Sequence, residues 1–423
     1  MRFTNIAVLL AASATPAQTA AQAATAAGDR HMEIARRVLS ETPLFDGHND
    51  LPWAIRENTD APRDVNAWDL RTRTAGHTDI ARLRLGMVGA QFWSVYIPYA
   101  SVEEGAAKTQ LEQIDIAKQV FARYPDVFEE TLTPDAALRA FHNGRIASVM
   151  GMEGGHAIEN SLGALRAFFD LGARYMTLTH SSNIDWADSG TDTAQHDGLT
   201  EFGKEVAREM NRLGMIIDLS HTAPATMNDA LDISEAPVIF SHSAARALVE
   251  HGRNVPDDVL RRLPDNGGVV MVTFVPGFIS TAVRDWQALP EDQRSRTPEP
   301  HASLADVADH IEHIKRVAGA DHIGIGSDFD GISSVPTGLE DVSTFPALFA
   351  ELSRRGWSEE DLRKLAGENV LRVWRTVEET ASRLQRERPP STATIEQLDG
   401  PRPRTGQTGL LAPGSTEKPC AMS

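Results

Sequence analysis

An imidazole and a carboxylate stand two residues apart at His48 and Asp50, at the end of an apolar run. Alternate residues of a β-strand point to the same side, so these two side chains can converge on one metal ion. Taken alone, the pair favours a structural role in which both side chains only hydrogen-bond to nearby backbone. Its interpretation therefore depends on which other polar residues the fold brings to the same place.

Five more acidic or imidazole side chains occupy the ends of other short apolar runs. These residues are Glu153, His180, His221, His242 and Asp328. In a parallel barrel the carboxyl ends of the strands surround one mouth, where catalytic groups lie. Buried charges and imidazoles are costly there without a shared partner, which a metal centre supplies. The joint pattern therefore predicts a metal site, whereas His77, His156, His251 and His301 lack this context and are not assigned to it.

The predicted ligand set contains only nitrogen and oxygen donors, because the single cysteine is Cys420 in the C-terminal tail. Such a set suits zinc, although Mn, Co or Ni fit as well. Four histidines and three carboxylates are too many for one tetrahedral zinc that keeps an open position. Two ions that share a bridging carboxylate account for the count better. Such a pair lowers the pKa of a bridging water and polarises a carbonyl, so the sequence predicts amide hydrolysis.

The elements that position these residues are short apolar runs alternating with helical patterns. Each run reads as a strand buried on both faces. The eight runs cover residues 43–50, 88–96, 146–153, 174–180, 215–221, 237–242, 268–274 and 322–328. Helical spacing is found in residues 32–39, 200–213, 304–317 and 340–354. Eight strand–helix alternations predict an α/β fold, a (β/α)8 TIM-type barrel.

The two ends of the 423-residue chain differ from its middle in composition. Arg2, a short apolar run and an Ala-x-Ala pattern predict a signal peptide at residues 1–24, with a disordered leader on a cytosolic protein as the alternative. The apolar run is too short to span a membrane, so no integral membrane span is expected. Residues 386–423 are rich in Pro, Gly, Ser and charge, which predicts a flexible tail after a barrel domain at residues 30–385.

These features predict an exported protein, either periplasmic or secreted. The formal net charge of −18 argues against nucleic acid and against an anionic membrane surface as partners. The sequence leaves a homodimer open.

The chain resembles the membrane dipeptidase (renal dipeptidase-like) family of zinc metallopeptidases over residues 44–377. The matching motifs are Asp-Gly-His-Asn-Asp-Leu-Pro at residues 46–52, Met-Glu-Gly at 152–154, Leu-Thr-His at 178–180, Ala-Pro-Val-Ile-Phe-Ser-His-Ser at 236–243, Arg-Asn-Val-Pro-Asp-Asp at 253–258 and Gly-Ser-Asp-Phe-Asp-Gly at 326–331. The resemblance implies two zinc ions per chain. A first zinc would be held by His48, Asp50 and Glu153, and Glu153 would bridge to a second zinc held by His221 and His242.

The same resemblance implies roles for three residues around the substrate. His180 would contact the substrate and stabilise the developing oxyanion. Asp328 would hold the bridging water and carry its proton to the leaving amine. Arg253 would bind the C-terminal carboxylate of a dipeptide, because a guanidinium matches a carboxylate bidentately. Mammalian relatives have a tyrosine where this chain has Val275, which leaves open whether a D-residue is accepted at the C-terminal position.

Two other functions stay open at this point. A related binuclear amidohydrolase would act on another small amide or a β-lactam and would not need Arg253 for a free carboxylate. A binding or scaffold protein would keep the barrel without turnover, which the intact set of metal-site residues argues against.

Overall fold

The computed structural model describes residues 30–401, so the leader predicted at residues 1–24 and residues 402–423 of the tail lie outside the described residues. Each of the eight apolar runs contains a strand, and one further short strand is present. The strands are β1 Leu44–Asn49, β2 Val88–Ser94, β3 Phe128–Glu130, β4 Ile146–Glu153, β5 Ala173–Thr177, β6 Ile216–Asp218, β7 Ile239–Ser243, β8 Val269–Val272 and β9 Ile323–Ile325.

All strand pairings are parallel, and eight strands close into a ring. Their order is β1, β2, β4, β5, β6, β7, β8 and β9, which returns to β1. The β2–β4 pairing, from Ala90 with Ala147 to Ser94 with Gly151, completes the closure. This arrangement confirms the predicted (β/α)8 barrel. The extra strand β3 pairs only with the first half of β4; its single buried apolar residue, Phe128, is followed by two glutamates and gave no apolar run from which to predict it.

Helices cover the outside of the barrel and lengthen the loops. Residues 30–41 form α1, which contains the amphipathic segment predicted at residues 32–39. The others are α2 Leu51–Arg56, α3 Ile80–Leu85, α4 Ala106–Arg123, α5 Pro134–His142, α6 Leu162–Asp170, α7 Glu201–Leu213, α8 Pro224–Ile233, α9 Asp257–Leu260, α10 Leu263–Asn266, α11 Pro276–Ile279, α12 Thr281–Gln287, α13 Glu291–Arg294, α14 Leu304–Ala318, α15 Phe345–Arg354, α16 Glu359–Arg363, α17 Asn369–Glu387 and α18 Ile395–Asp399. Single turns of 3₁₀-helix lie at Tyr99–Glu103, Gly155–Ile158 and Ala320–His322, and a π-helical turn at Lys364–Glu368 joins α16 to α17.

Local sequence explains where these helices begin and end. The Thr200 hydroxyl accepts a hydrogen bond from Gly203 N at the start of α7, and Gly214 ends the helix with a φ of 89°. The helix predicted at residues 200–213 is thus confirmed. Helix α15 begins later than the pattern at residues 340–354 indicates. The Asp341 carboxylate accepts a hydrogen bond from Ser343 N at 2.9 Å, which forms a turn in place of the first helical residues.

The chain after α17 differs from the prediction of a flexible tail from residue 386. Ser391 N donates to Glu209 Oε2 at 3.3 Å, and Phe202 N donates to Asp399 Oδ1 at 3.2 Å. Ile395 is buried against the barrel domain. Composition alone missed this packing, because one apolar side chain and a few polar partners on α7 are enough to fix a short segment.

Aromatic side chains fill the barrel beneath the site. Phe45 stacks on Phe92 with ring centroids 4.7 Å apart, and Trp374 of α17 lies 6.4 Å from Phe45. Tyr175 of β5 packs edge-on against Phe92 at 5.0 Å. Its ring therefore belongs to the apolar core, while its hydroxyl reaches the polar site above. Among residues 30–401, no helix has both the length and the apolar character needed to cross a bilayer.

Candidate metal centre

The seven predicted strand-end residues lie at one end of the barrel, and Asp50 directly follows β1. His48 is part of β1, Glu153 is the last residue of β4, and His242 is part of β7. His180, His221 and Asp328 each follow a strand end by three residues. His221 and Asp328 have left-handed φ angles of 68° and 69°. Such a conformation is costly for a side chain other than glycine and is concentrated at functional sites.

The two carboxylate oxygens of Glu153 face different histidines. Oε2 lies 3.4 Å from His48 Nε2, which is in turn 3.2 Å from Asp50 Oδ2. Oε1 lies 2.9 Å from His221 Nε2 and 3.3 Å from His242 Nε2. One carboxylate thus connects two groups of donor atoms. This is the arrangement of a bridging ligand between two metal ions.

The donor atoms fit a bound cation better than they fit one another. His221 Nε2 and His242 Nε2 are 3.0 Å apart, a spacing at which two neutral rings either share one N–H···N hydrogen bond or direct both nitrogens at a bound cation. A tetrahedral zinc with ligands at about 2.1 Å separates its donors by about 3.4 Å, close to the spacings found here. His48 Nε2 and Asp50 Oδ1 are buried without a hydrogen-bond partner among the described residues. The residues present therefore fit the implied metal ions.

Potential metal ligands form three overlapping groups within residues 30–401. The groups are His48, Glu153 and His242; Glu153, His180 and His221; and His48, Asp50 and Asp328. Glu153 and His48 each belong to two of them, so the groups form one centre. His180 Nε2 stands somewhat apart, 4.0 Å from Glu153 Oε1.

The electrostatic environment keeps the bridging group charged and two of its histidines neutral. Burial alone would raise the pKa of Glu153, but the charge of His48 and hydrogen bonds from His221 and His242 hold it well below its usual range. Burial lowers the pKa of His221 and of His242 well below that of free imidazole. Neutral imidazole and ionised carboxylate are the forms that bind a metal. His48, whose pKa the nearby charges of Tyr175, Glu153 and Asp50 raise despite its burial, must therefore release the Nε2 proton when an ion binds.

His180 and Asp328 have the protonation states that a substrate site can use. Burial lowers the pKa of His180, so its imidazole is neutral near pH 7. Burial raises the pKa of Asp328 well above its usual range, and the charges of Asp50 and Glu153 add to this effect. A carboxyl group with a raised pKa can hold and release a proton near neutral pH.

Two buried aspartates, each paired with a serine, join neighbouring strands beneath the site. Asp46 accepts hydrogen bonds from Ser327 N at 2.7 Å and Ser327 Oγ at 2.6 Å. Asp218 likewise accepts from Ser241 N at 2.8 Å and Ser241 Oγ at 2.6 Å. Each serine directly precedes a site residue, Asp328 or His242. These contacts therefore fix the backbone from which the site residues project.

Two contacts to ring nitrogens were not predicted from the sequence. The Tyr175 hydroxyl lies 2.9 Å from His48 Nδ1, and the Ser241 hydroxyl lies 2.8 Å from His242 Nδ1. A polar side chain inside an otherwise apolar strand is the signal that could have indicated them.

Arg253 lies beside the metal-binding histidines and is almost fully buried. Its Nη2 donates to His242 O at 3.2 Å, and its guanidinium lies 5.3 Å from the ring centroid of Phe278. Burial is the largest cause of the lowered pKa of His221, and the positive charge of Arg253 is the next largest. The His251 ring lies 4.4 Å from the ring of Phe278 with the two planes tilted by 32°, and His251 Nδ1 accepts from Arg253 N. A buried cation thus borders the mouth of the site.

The histidines left out of the metal set lie elsewhere. His301 is exposed, whereas His156 is buried below Tyr99, and its Nε2 contacts Ile97 O at 3.1 Å. His77 Nδ1 accepts from Asp330 N at 3.0 Å in a neighbouring loop. Burial lowers the pKa of His156 to about 4, as expected for a histidine that packs in neutral form.

Comparison with known proteins identifies similar sequences and structures. A sequence model of the membrane dipeptidase family, peptidase family M19, matches residues 32–388, a range that contains every predicted site residue. The probable dipeptidase PvdM of Pseudomonas aeruginosa is 25% identical with a TM-score of 0.73, over 84% of this chain and 100% of that one.

Two metallopeptidases are similar to the same degree. A metallo peptidase of Rhodobacter sphaeroides, solved with a phosphinate mimic of the dipeptide L-Ala-D-Ala, is 27% identical with a TM-score of 0.69, over 79% of this chain and 99% of that one. A dipeptidase of family M19, dipeptidase AC, is also 27% identical with a TM-score of 0.69, over 79% of this chain and 98% of that one.

Proposed function

The chain belongs to the membrane dipeptidase family and is a metal-dependent dipeptidase, and we propose that it hydrolyses dipeptides at a centre of two zinc ions. His48, Asp50 and Glu153 would hold one ion, and Glu153, His221 and His242 would hold the other. The observation that carries this proposal is the position of the Glu153 carboxylate between two groups of donor atoms. Its Oε2 lies 3.4 Å from His48 Nε2, and its Oε1 lies 2.9 and 3.3 Å from Nε2 of His221 and of His242. When bound, two such ions polarise the scissile carbonyl and lower the pKa of a water between them.

Asp328 handles the proton of the reaction. The carboxylates of Asp328 and Asp50 both lie against Gly331. A Cβ added to this glycine would lie 2.6 Å from Asp328 Oδ1 and 2.2 Å from Asp50 Oδ2. The Asp328 carboxylate accepts the proton that the attacking water gives up. It then returns this proton to the leaving amine nitrogen, a transfer that its raised pKa favours.

His180 stabilises the charge that develops on the carbonyl oxygen. Its neutral ring lies beside His221 with centroids 4.4 Å apart, and Ser181 Oγ lies 3.2 Å from its Nδ1. An N–H on Nε2 then points toward the site and donates to the oxyanion. A preorganised donor of this kind contributes in the transition state because no reorientation is needed there.

Arg253 selects substrates with a free C-terminal carboxylate. Its guanidinium is positioned by His242 O and by the ring of Phe278, and a carboxylate can approach it from the site. A longer peptide would place an uncharged amide at this point. Selection of dipeptides follows, because the scissile bond and the carboxylate are one residue apart.

The accepted stereochemistry extends, in this proposal, to a D-residue at the C-terminal position. The support is the Rhodobacter sphaeroides metallo peptidase, 27% identical, which was solved with a mimic of L-Ala-D-Ala. L,D-dipeptides should therefore be cleaved along with L,L-dipeptides.

A panel of substrates tests the proposed function. Dipeptides with L,L and L,D stereochemistry, their C-terminal amides, tripeptides and a β-lactam are assayed with and without a chelator, and metal content is measured. We expect two zinc ions per chain and chelator-sensitive cleavage of the free dipeptides. Equal cleavage of the amides or of tripeptides would contradict the carboxylate selection. Turnover confined to the β-lactam would favour the amidohydrolase alternative.

We also propose that the protein is exported, on the leader pattern of residues 1–24 alone. Fractionation of expressing cells and N-terminal sequencing of the mature protein test this. Intact Met1 on cytoplasmic protein would contradict it.

A further inference from the structure

We propose that Tyr175 and Ser241 are positioning residues, each of which sets the tautomer of one metal-binding histidine. Tyr175 would keep the proton of His48 on Nδ1, and Ser241 would keep that of His242 on Nδ1. Both Nε2 atoms are then left with a lone pair directed at the metal centre. This inference rests on the two-metal centre proposed above.

The contacts of the Tyr175 hydroxyl indicate one direction of hydrogen bonding. It lies 2.9 Å from His48 Nδ1 and 3.3 Å from Gly47 O. A carbonyl oxygen can only accept, so the one arrangement that makes both contacts hydrogen bonds sends the phenol proton to Gly47 O and has the phenol oxygen accept from His48 Nδ1–H. The opposite tautomer would place an N–H on His48 Nε2, where a metal ion must bind.

The Tyr175 ring has no room to move away from His48. It is fully buried and packs against Phe92. Gly151 on the adjacent strand faces it so closely that an added Cβ would lie 2.0 Å from the Tyr175 ring. The absence of a side chain at Gly151 thus admits the ring, and close packing then fixes the hydroxyl.

The Ser241 hydroxyl has the same arrangement on the other side of the centre. It lies 2.6 Å from Asp218 Oδ2 and 2.8 Å from His242 Nδ1. An ionised carboxylate can only accept, so the serine proton goes to Asp218 and the serine oxygen accepts from His242 Nδ1–H. Asp218 is itself held by hydrogen bonds from Ser220 N and the Thr177 hydroxyl.

The two contacts act on different sides of Glu153. Tyr175 supports the histidine that faces Oε2, and Ser241 supports a histidine that faces Oε1. Within residues 30–401, no hydrogen-bond partner reaches Nδ1 of His221, the other histidine on the Oε1 side. Ser241 is thus the support on that side, and loss of either hydroxyl should weaken one ion and spare the other.

Zinc titration of the metal-free full-length protein, in competition with a chromophoric chelator, tests this inference. We expect Tyr175→Phe to raise one of the two dissociation constants by about 10- to 100-fold and to leave the other within about threefold. Ser241→Ala should raise the other constant by a similar factor. The unfolding temperature of the metal-free protein should change little in both variants, because only a hydroxyl is removed.

A double-mutant cycle assigns each effect to its histidine. Tyr175→Phe should cause no further loss of zinc affinity in a His48→Ala background, whereas Ser241→Ala should still do so. The reverse is expected in a His242→Ala background. Tyr124→Phe and Ser148→Ala are matched controls, since each removes a buried hydroxyl that contacts no metal-site residue.

Wild-type affinity at both sites in Tyr175→Phe and Ser241→Ala would overturn the inference. Equal weakening of both sites with a lower unfolding temperature of the metal-free protein would also overturn it, because that result indicates a general packing defect. Wild-type protein that binds fewer than two zinc ions would instead overturn the two-metal proposal, and this inference with it.

Discussion

The mouth of the barrel has two corners that are built in different ways. The metal corner consists of His48, Asp50, Glu153, His221 and His242, which lie on strands or within three residues of a strand end. The arginine corner consists of His251, Arg253 and Phe278. His251 and Arg253 lie in the loop that follows β7, and Phe278 lies in α11, the short helix that follows β8. Parallel strands with fixed register position the first corner, whereas loop contacts position the second.

The arginine corner depends on close contact between two loops. Gly252 precedes Arg253, and a Cβ on it would lie 2.1 Å from Gly190 O in the loop after β5. A Cβ on Gly190 would lie 2.5 Å from Gly252 O. The absence of both side chains lets the loops meet. We therefore expect the metal corner to control turnover and metal content, and the arginine corner to control substrate affinity.

The largest effect is expected when the bridge of the metal corner is removed. Glu153→Gln should reduce zinc from two ions per chain to at most one, because an amide cannot provide two anionic oxygens. The value of kcat/KM should fall by at least about 10⁴-fold. Metal analysis and dipeptide kinetics measure this, with the exposed Glu103→Gln as control. Two zinc ions retained in Glu153→Gln would contradict the assignment of the bridge.

Asp328→Asn separates proton transfer from metal binding. The value of kcat should fall by about 10²- to 10⁴-fold, because an amide cannot take the proton of the attacking water. Zinc content should remain at the wild-type level. Loss of an ion from this variant would instead make Asp328 a ligand, as its closeness to His48 and Asp50 allows.

Arg253→Ala should affect affinity and leave turnover largely intact. We expect KM for dipeptides to rise by about 10²- to 10³-fold, since a buried charged hydrogen-bond partner of the substrate is lost. The value of kcat should change by less than about tenfold. Dipeptide amides should show no such loss, and Arg261→Ala, at an exposed position directly after α9, is the control. A fall confined to kcat would place Arg253 in the metal corner instead.

Phe278→Leu should weaken the arginine corner more gently. The ring makes a cation–π contact with Arg253 and packs against the ring of His251. Its loss should raise KM by about 3- to 10-fold at unchanged kcat and zinc content. Trp286→Leu removes a comparable ring beside Arg294 at the surface and should leave KM unchanged. An altered zinc content in Phe278→Leu would show that the two corners are not separate.

The smallest effect is expected from pH, and it should differ between the corners. Burial and the charges of Arg253 and Arg246 lower the pKa of His251 to about 4, against about 6.5 in an unfolded chain. Its contribution to stability is therefore complete above pH 6.5 and is lost as the pH falls toward 4. KM should stay constant from pH 8 to 5.5, while zinc content falls as protons compete for the metal ligands.

Two measurements check this pH dependence. The unfolding temperature of metal-free protein should fall more steeply below pH 6.5 than that of His251→Asn, which cannot titrate. A rise in KM with a midpoint near pH 6.5 would contradict a neutral His251.

Much of the fold and of the metal corner followed from the order of the residues. Eight apolar runs predicted eight barrel strands, because a strand buried on both faces leaves a short, nearly continuous apolar signature. His48, Glu153 and His242 could be placed because they end such runs. Strand β3 was missed because one buried phenylalanine followed by two glutamates leaves no such signature, and the segment after α17 because its composition resembles that of a flexible tail.

The sequence by itself determined the eight barrel strands, their parallel order and the end of the barrel at which imidazole and carboxylate groups collect. It did so because the apolar pattern of a buried strand is a local property of the chain, and these residues lie at the strand ends or within three residues of them. Only the tertiary structure decided that Glu153 Oε2 faces His48 while Oε1 faces His221 and His242. It also decided that the hydroxyls of Tyr175 and Ser241 contact Nδ1 of His48 and of His242. Those contacts join residues from different strands, many positions apart in the chain, and depend on distances that closure of the barrel alone sets.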